Sequence, residues 1–69
     1  MNFKFFKAVE KSDLPTVREL LHNGTNVNAK DFAKYGSTPL MLASKIGNMD
    51  IINELIKHGA KINEKNIEG

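Results

Sequence analysis

The chain repeats itself at an interval of 35 residues, and this repetition limits its possible folds more than any other feature. The first copy has a stripe of apolar residues at Leu14, Val17, Leu20 and Leu21, and the second repeats it at Met49, Ile52, Leu55 and Ile56. Each set has the spacing of one face of an α-helix. An internal repeat of this length, with short helices in each copy, is the signature of a stacked solenoid.

Two helices are predicted in each copy of the repeat. Their expected positions are 3–11, 14–23, 38–46 and 49–58. Thr38 followed by Pro39 is typical of a helix start, because the threonine oxygen can accept from an unpaired backbone N–H and proline there loses no hydrogen bond. Gly24 and Gly47 are suited to helix ends. Helices this short are unstable alone in water, so they must pack against one another.

The predicted core follows from the apolar stripes. In the second copy it consists of Leu40, Leu42, Ala43, Met49, Ile52, Leu55 and Ile56. In the first helix, Phe3 is assigned to the apolar face, and Lys4 and Lys7 to the opposite face. Ala8 and Ala43 are small, which lets neighbouring helices approach closely.

Composition excludes several kinds of function. The chain has 69 residues, which is enough for one small domain, and it has no cysteine. His22 and His58 are its two histidines and lack the paired spacing of a zinc site. Neither a catalytic constellation nor a glycine-rich phosphate loop is present. We therefore predict no enzyme activity, no cofactor and no metal.

Charge and hydropathy limit the partners. The net charge is +2, from 10 basic and 8 acidic residues that are mixed along the chain. This balance does not favour binding to nucleic acid or to a membrane, and Arg18 is the one arginine. The sequence has no apolar run of signal-peptide or membrane-spanning length. We expect a soluble, cytoplasmic protein.

The segment Thr38–Ala43, read T-P-L-M-L-A, resembles the T-P-L-H-x-A start of an ankyrin repeat, with Met41 at the usual histidine. The later positions Gly47, Gly59, Ala60, Ile62 and Asn63 continue the resemblance. The resemblance implies an all-α fold, a short solenoid of two stacked antiparallel helix pairs with a projecting loop. It assigns residues 1–30 to an N-terminal repeat, 31–65 to a full repeat, and 66–69 to the start of a third.

Two departures from the family pattern have expected consequences. Ankyrin repeats are about 33 residues long, whereas the interval here is 35, which places a two-residue insertion between Asp31 and Gly36. In the family the histidine of the T-P-L-H start helps to tie the loop by hydrogen bonds. Met41 cannot donate one, so a softer loop is expected.

The resemblance implies a non-catalytic module that binds a protein partner, of unknown identity, through its loop tips and the concave face of its inner helices. The matching positions hold Lys34, Tyr35, Ser37, Lys45 and Ile46, with His58 near by, and in the first repeat Glu10, Lys11 and Asn23. The predicted binding residues are these residues of the second repeat together with the loop aromatic Phe32. Aromatic residues are enriched at interface centres, but Phe32 or Tyr35 could instead fold back on the neighbouring repeat. Likewise, His58 could simply favour the helix C-terminus.

An alternative remains open. The chain could be the N-terminal cap and first full repeat of a longer array, whose binding face lies further on. Met1 lies directly before the first helix, which suggests a true N-terminus. In either case the second helix pair should present an apolar face towards a missing third repeat, so self-association through that face is expected.

Overall fold

The computed structural model describes residues 3–31 and 36–62, which contain four α-helices in two pairs. The helices are α1 Phe3–Glu10, α2 Leu14–His22, α3 Pro39–Ile46 and α4 Met49–Lys57. Each differs from its predicted range by one residue at one end. Within each pair the two helices pack together, α1 also packs against α3, and α2 contacts α4. The predicted all-α stack of two antiparallel helix pairs is therefore confirmed.

Side-chain caps explain where three of the helices start. The Asp13 carboxylate accepts hydrogen bonds from Thr16 N and Thr16 Oγ1, at 3.4 and 2.7 Å. At α3, Thr38 Oγ1 accepts from Met41 N at 3.3 Å. At α4, Asn48 Oδ1 accepts from Ile51 N at 3.2 Å. Each cap satisfies a backbone donor that the first helical turn leaves unpaired.

The sharp turn between the helices of each pair requires a left-handed residue. Gly47 has φ 86° after α3, and Ser12 has φ 56° at the matching place after α1. Glycine adopts this conformation without steric cost, whereas a residue with a Cβ loses about 1–2 kcal/mol. Ser12 is therefore a point of backbone strain in the first repeat.

Much of the predicted core is confirmed, with two corrections. The buried cluster consists of Phe5, Ala8, Val9, Val17, Leu21, Val27, Leu40, Ala43, Ile51 and Leu55. The prediction was wrong for Met49 and Ile56, whose exposed fractions are 61% and 41%. It also missed Ile51, which is fully buried. Ile56 lies on the side of α4 that faces away from the first repeat, while Ile51 takes up the side that faces towards it.

Phe3 is a third correction. The sequence pattern assigned it to the apolar face of α1, but 71% of its surface is exposed and it is not part of the core cluster. It occupies the first position of α1. Its ring lies instead beside Lys7, whose Nζ is 5.8 Å from the ring centroid.

Polar contacts also join the two repeats on their surface. The Asn28 amide donates to Gly59 O at 3.2 Å and accepts from Lys61 N at 2.8 Å. Arg18 Nε donates to Glu54 Oε1 at 3.3 Å. A surface ion pair contributes about 0–1 kcal/mol, so the paired bonds of Asn28 fix the register of the repeats more firmly.

The loop between the pairs is closed at its base by a short antiparallel bridge. Asp31 N donates to Ser37 O at 2.8 Å, and Gly36 N donates to Asp31 O at 3.0 Å. The tip, residues 32–35, lies outside the described residues, as do residues 63–69. The two-residue insertion, the softer loop and the third-repeat start therefore stay predictions, as does the division of the chain at 30 and 65.

The strain at Ser12 generates a prediction. Ser12→Gly should stabilise the fold by about 0.5–1 kcal/mol, because the relief of left-handed strain exceeds the added freedom of the unfolded chain. The reciprocal variant, Gly47→Ser, is the matched control. No atom lies within 4 Å of the position a Cβ would take at Gly47, so its cost is backbone strain alone. Urea unfolding checks both, and equal stability of Ser12→Gly and the parent chain would contradict the proposed strain.

Candidate protein-binding surface

The structure describes four of the seven predicted binding residues: three fall at the two ends of α3, and the fourth, His58, follows α4. Ser37 lies at the base of the loop, before α3 begins, and Lys45 and Ile46 form its last turn. At a rise of about 1.5 Å per residue, these ends are about 12 Å apart. The other three predicted residues, Phe32, Lys34 and Tyr35, are outside the described residues. Ser37 is thus not brought together with Lys45 and Ile46.

The end of α3 combines an apolar and a basic side chain. Ile46 is 45% exposed, and Lys45 beside it is also exposed. The helix that carries them is held at both ends, by the Thr38 cap and by the Gly47 turn, whose N–H donates to Ala43 O at 2.8 Å. These two side chains therefore project from a rigid part of the backbone.

His58 has a mainly structural environment. Its backbone N–H donates to Glu54 O and Leu55 O, which closes the C-terminus of α4. Its ring Nδ1 lies 3.0 Å from Glu54 O and 3.6 Å from Glu54 Oε2. These contacts fit the alternative that His58 caps α4, although a third of the side chain is still exposed.

The second repeat has an apolar surface on the side that faces away from the first repeat. Leu21 is 6% exposed in the first repeat, whereas Ile56 at the equivalent position is 41% exposed. The corresponding values are 9% for Val27 and 70% for Ile62. The second repeat covers the first, while the equivalent side of the second is uncovered. This uncovered surface is called the open face below, and it consists of the exposed Ile56 and Ile62 and the half-buried Ile52.

The opposite side of the stack has a different chemistry. Leu42 and Ile51 of the second repeat pack against the first, and Ile51 is fully buried. The equivalent residues of the first repeat are Lys7 and Thr16, which are polar. The two end faces of the stack are therefore unlike, one polar and one apolar.

Residues 3–31 and 36–62 contain no group of three or more metal-ligating side chains. Within the same ranges, every buried side-chain polar atom has a hydrogen-bond partner. The helices there have eight or nine residues, too few for any of them to cross a membrane.

Comparison with known proteins shows the family to which the chain belongs. A family model of ankyrin repeats, in three copies, matches residues 5–69. The chain belongs to the ankyrin repeat family. Ankyrin repeats generally act as protein–protein interaction modules and are generally not enzymatic.

Several relatives share this ankyrin segment within much longer chains. The chain is 46% identical over 56 residues to ankyrin repeat domain-containing protein 49 of Bos taurus, covering 80% of this chain and 23% of the relative. It is 37% identical over 62 residues to ankyrin repeat, SAM and basic leucine zipper domain-containing protein 1 of Carollia perspicillata, covering 90% and 13%. With 2-5A-dependent ribonuclease of Mus musculus it shares 44% identity over 54 residues, covering 78% and 7%. The chain thus spans less than a quarter of each of these three relatives.

The open face generates a prediction that uses the internal repeat as its own control. Leu21→Ala should destabilise the ankyrin fold by about 2–4 kcal/mol, because it leaves a cavity in the core. Ile56→Ala, at the equivalent position, should cost less than about 1 kcal/mol, since the side chain is already partly in water. Chemical unfolding of both variants measures the difference. Equal losses would mean that the open face is covered in solution.

Proposed function

We propose that this ankyrin chain is a non-catalytic module that binds a protein partner through its loop tip and the concave side of its inner helices. The residues assigned to the interface are Phe32, Lys34, Tyr35, Ser37, Lys45, Ile46 and His58. The observation that supports it best is Ile46, an apolar side chain left 45% exposed at the end of α3. A cytoplasmic location, and the absence of nucleic-acid binding, remain predictions.

The energetics of Ile46 favour an anchor role. Completely burying an isoleucine side chain stabilises by about 1.5–3 kcal/mol, so covering the exposed half should contribute about 1 kcal/mol. Because the helix is capped at both ends, little backbone freedom would be lost on binding. Lys45 beside it would lie at the rim, where charge mainly affects orientation and association rate.

Alanine substitution tests the proposed interface. A partner is first captured from an extract of the protein's own cells and purified. Ile46→Ala and Tyr35→Ala should each then weaken its affinity by about fivefold, as measured by titration calorimetry. Asn53→Ala, on the exposed side of α4, is the matched control and should leave affinity unchanged.

Thermal unfolding of the same variants separates binding from folding. If both substitutions left affinity and melting temperature unchanged, the concave interface would be wrong. That result would favour the second candidate, a capping end of a longer ankyrin array. The polar face at Lys7 and Thr16, opposite an apolar open face, is the observation that supports the second candidate.

We also propose that two copies associate through their open faces when no further repeat covers them. A head-to-tail contact would place Ile52 and Ile56 against the polar face with Lys7 and Thr16, and desolvating that lysine is costly. A two-fold contact instead pairs one open face with another, so that apolar side chains cover each other.

Sedimentation at increasing concentration tests the association. The parent chain should form a weak dimer, and Ile56→Glu should abolish it because a carboxylate would be buried without a partner. Lys7→Gln, on the opposite face, should leave the dimer unchanged. A monomer with a melting temperature that is high and independent of concentration would show that this proposal is wrong.

A further inference from the structure

A groove of about 270 Å³ runs along the polar side of α1 and the start of α2. Phe3 and Ala8 provide apolar walls, Lys4, Lys7 and Lys11 provide basic ones, and Asp13 and Thr16 close one side. We propose that this groove binds an acidic peptide segment that carries one large apolar side chain.

The apolar half of the proposal is based on Phe3. Its ring is 71% exposed and is not part of the core cluster, so its burial against a partner would be newly gained apolar contact. The Lys7 ammonium lies 5.8 Å from the ring centroid, within the range of a cation–π contact. The ring therefore already lies beside a positive charge, and a partner that covers the ring comes close to that charge.

The basic half follows from the spacing of the lysines. Lys4 and Lys7 are three residues apart, which places them on one side of α1. Lys11 follows in the turn directly after α1 and lines the same groove. All three are exposed. The one carboxylate that lines the groove, Asp13, already accepts two hydrogen bonds from Thr16 and caps α2. The groove therefore has an excess of positive charge, which is complementary to glutamate and aspartate side chains.

The size of the groove and the number of charges favour a peptide over other anionic partners. Its volume is just below the range of about 300–1,000 Å³ for small-molecule sites, so it suits a single side chain. Membrane-binding clusters hold about 4–8 basic residues, each contributing about 1 kcal/mol, and three are too few for stable attachment. The basic residues are lysines, whereas phosphate recognition favours the bidentate fork of arginine.

The groove is a surface separate from the open face. Lys7 is equivalent to Leu42, the residue that faces the preceding repeat, so Lys7 faces away from α3 and α4. The groove thus lies at the opposite end of the stack from the open face. An acidic peptide bound there would leave the open face accessible to a second partner.

Titration of the ¹⁵N-labelled chain with a synthetic peptide tests the proposal. The probe is an acetylated, amidated pentapeptide with one leucine flanked on each side by two glutamates. Saturable shifts are expected at amides between Phe3 and Thr16. Phe3→Ser should raise the Kd by about tenfold, through lost apolar burial. Lys7→Gln and Lys11→Gln should each raise it by about threefold, and added salt should weaken binding.

Two controls keep the result specific. Lys57→Gln, which changes an exposed residue of α4 outside the groove, should leave the Kd unchanged. A peptide with serine in place of leucine should bind the parent chain about tenfold more weakly than the leucine peptide does. Because the second comparison uses the unaltered chain, it holds even if Phe3→Ser folds poorly.

Several outcomes would overturn the proposal. They are the absence of saturable shifts up to millimolar peptide, shifts confined to Lys45 and Ile46, and equal binding of the leucine and serine peptides. Tighter binding to phosphatidylserine vesicles or to a single-stranded oligonucleotide than to the peptide would also overturn it, in favour of a membrane or a nucleic acid. The interface proposed for the end of α3 is tested separately by the partner titration, and shifts confined to Lys45 and Ile46 would support that interface while they overturn the groove.

Discussion

Contact between the two helix pairs is the interaction on which the rest of the structure depends. Each helix has eight or nine residues, and isolated helices shorter than about 12–15 residues are marginal in water. Val17 of the first pair and Ile51 of the second are both fully buried in one core cluster. Neither pair could bury its apolar side alone, so the helices exist because the repeats stack.

Stacking of one repeat on another by translation has a consequence for the surface. Each repeat has a side that faces its predecessor and a side that faces its successor, and the two sides need not be alike. Here the first is polar, with Lys7 and Thr16, and the second is apolar, with Ile56 and Ile62. Because the two end faces differ in this way, an acidic peptide is proposed to bind at one end of the stack and a second copy of the chain at the other.

Local signals were enough to predict the helices and their ends, because caps and turns act over three or four residues. Thr38 and Gly47 were identified from sequence and have the predicted roles. Burial was less predictable, since it depends on what lies across the stack. The apolar stripe correctly indicated a packed face, but not which of its members the first repeat would cover, so Ile56 was assigned to the core and Ile51 was missed. Phe3 was misassigned for the same reason, as helical periodicity does not show where the neighbouring helix ends.

The two repeats agree where the fold needs them to agree and differ on their surfaces. Ala8 and Ala43 are both buried at equivalent positions, and Asp13 and Asn48 both cap a helix. The equivalent positions at the end of the inner helices differ, in contrast: Lys11 directly follows α1, Ile46 is the last residue of α3, and both are exposed. A position that is free of packing constraints can change from a base to an apolar residue without disturbing the stack. Exposed positions of this kind can therefore determine which partner is bound, while the shared core sets the distance between them.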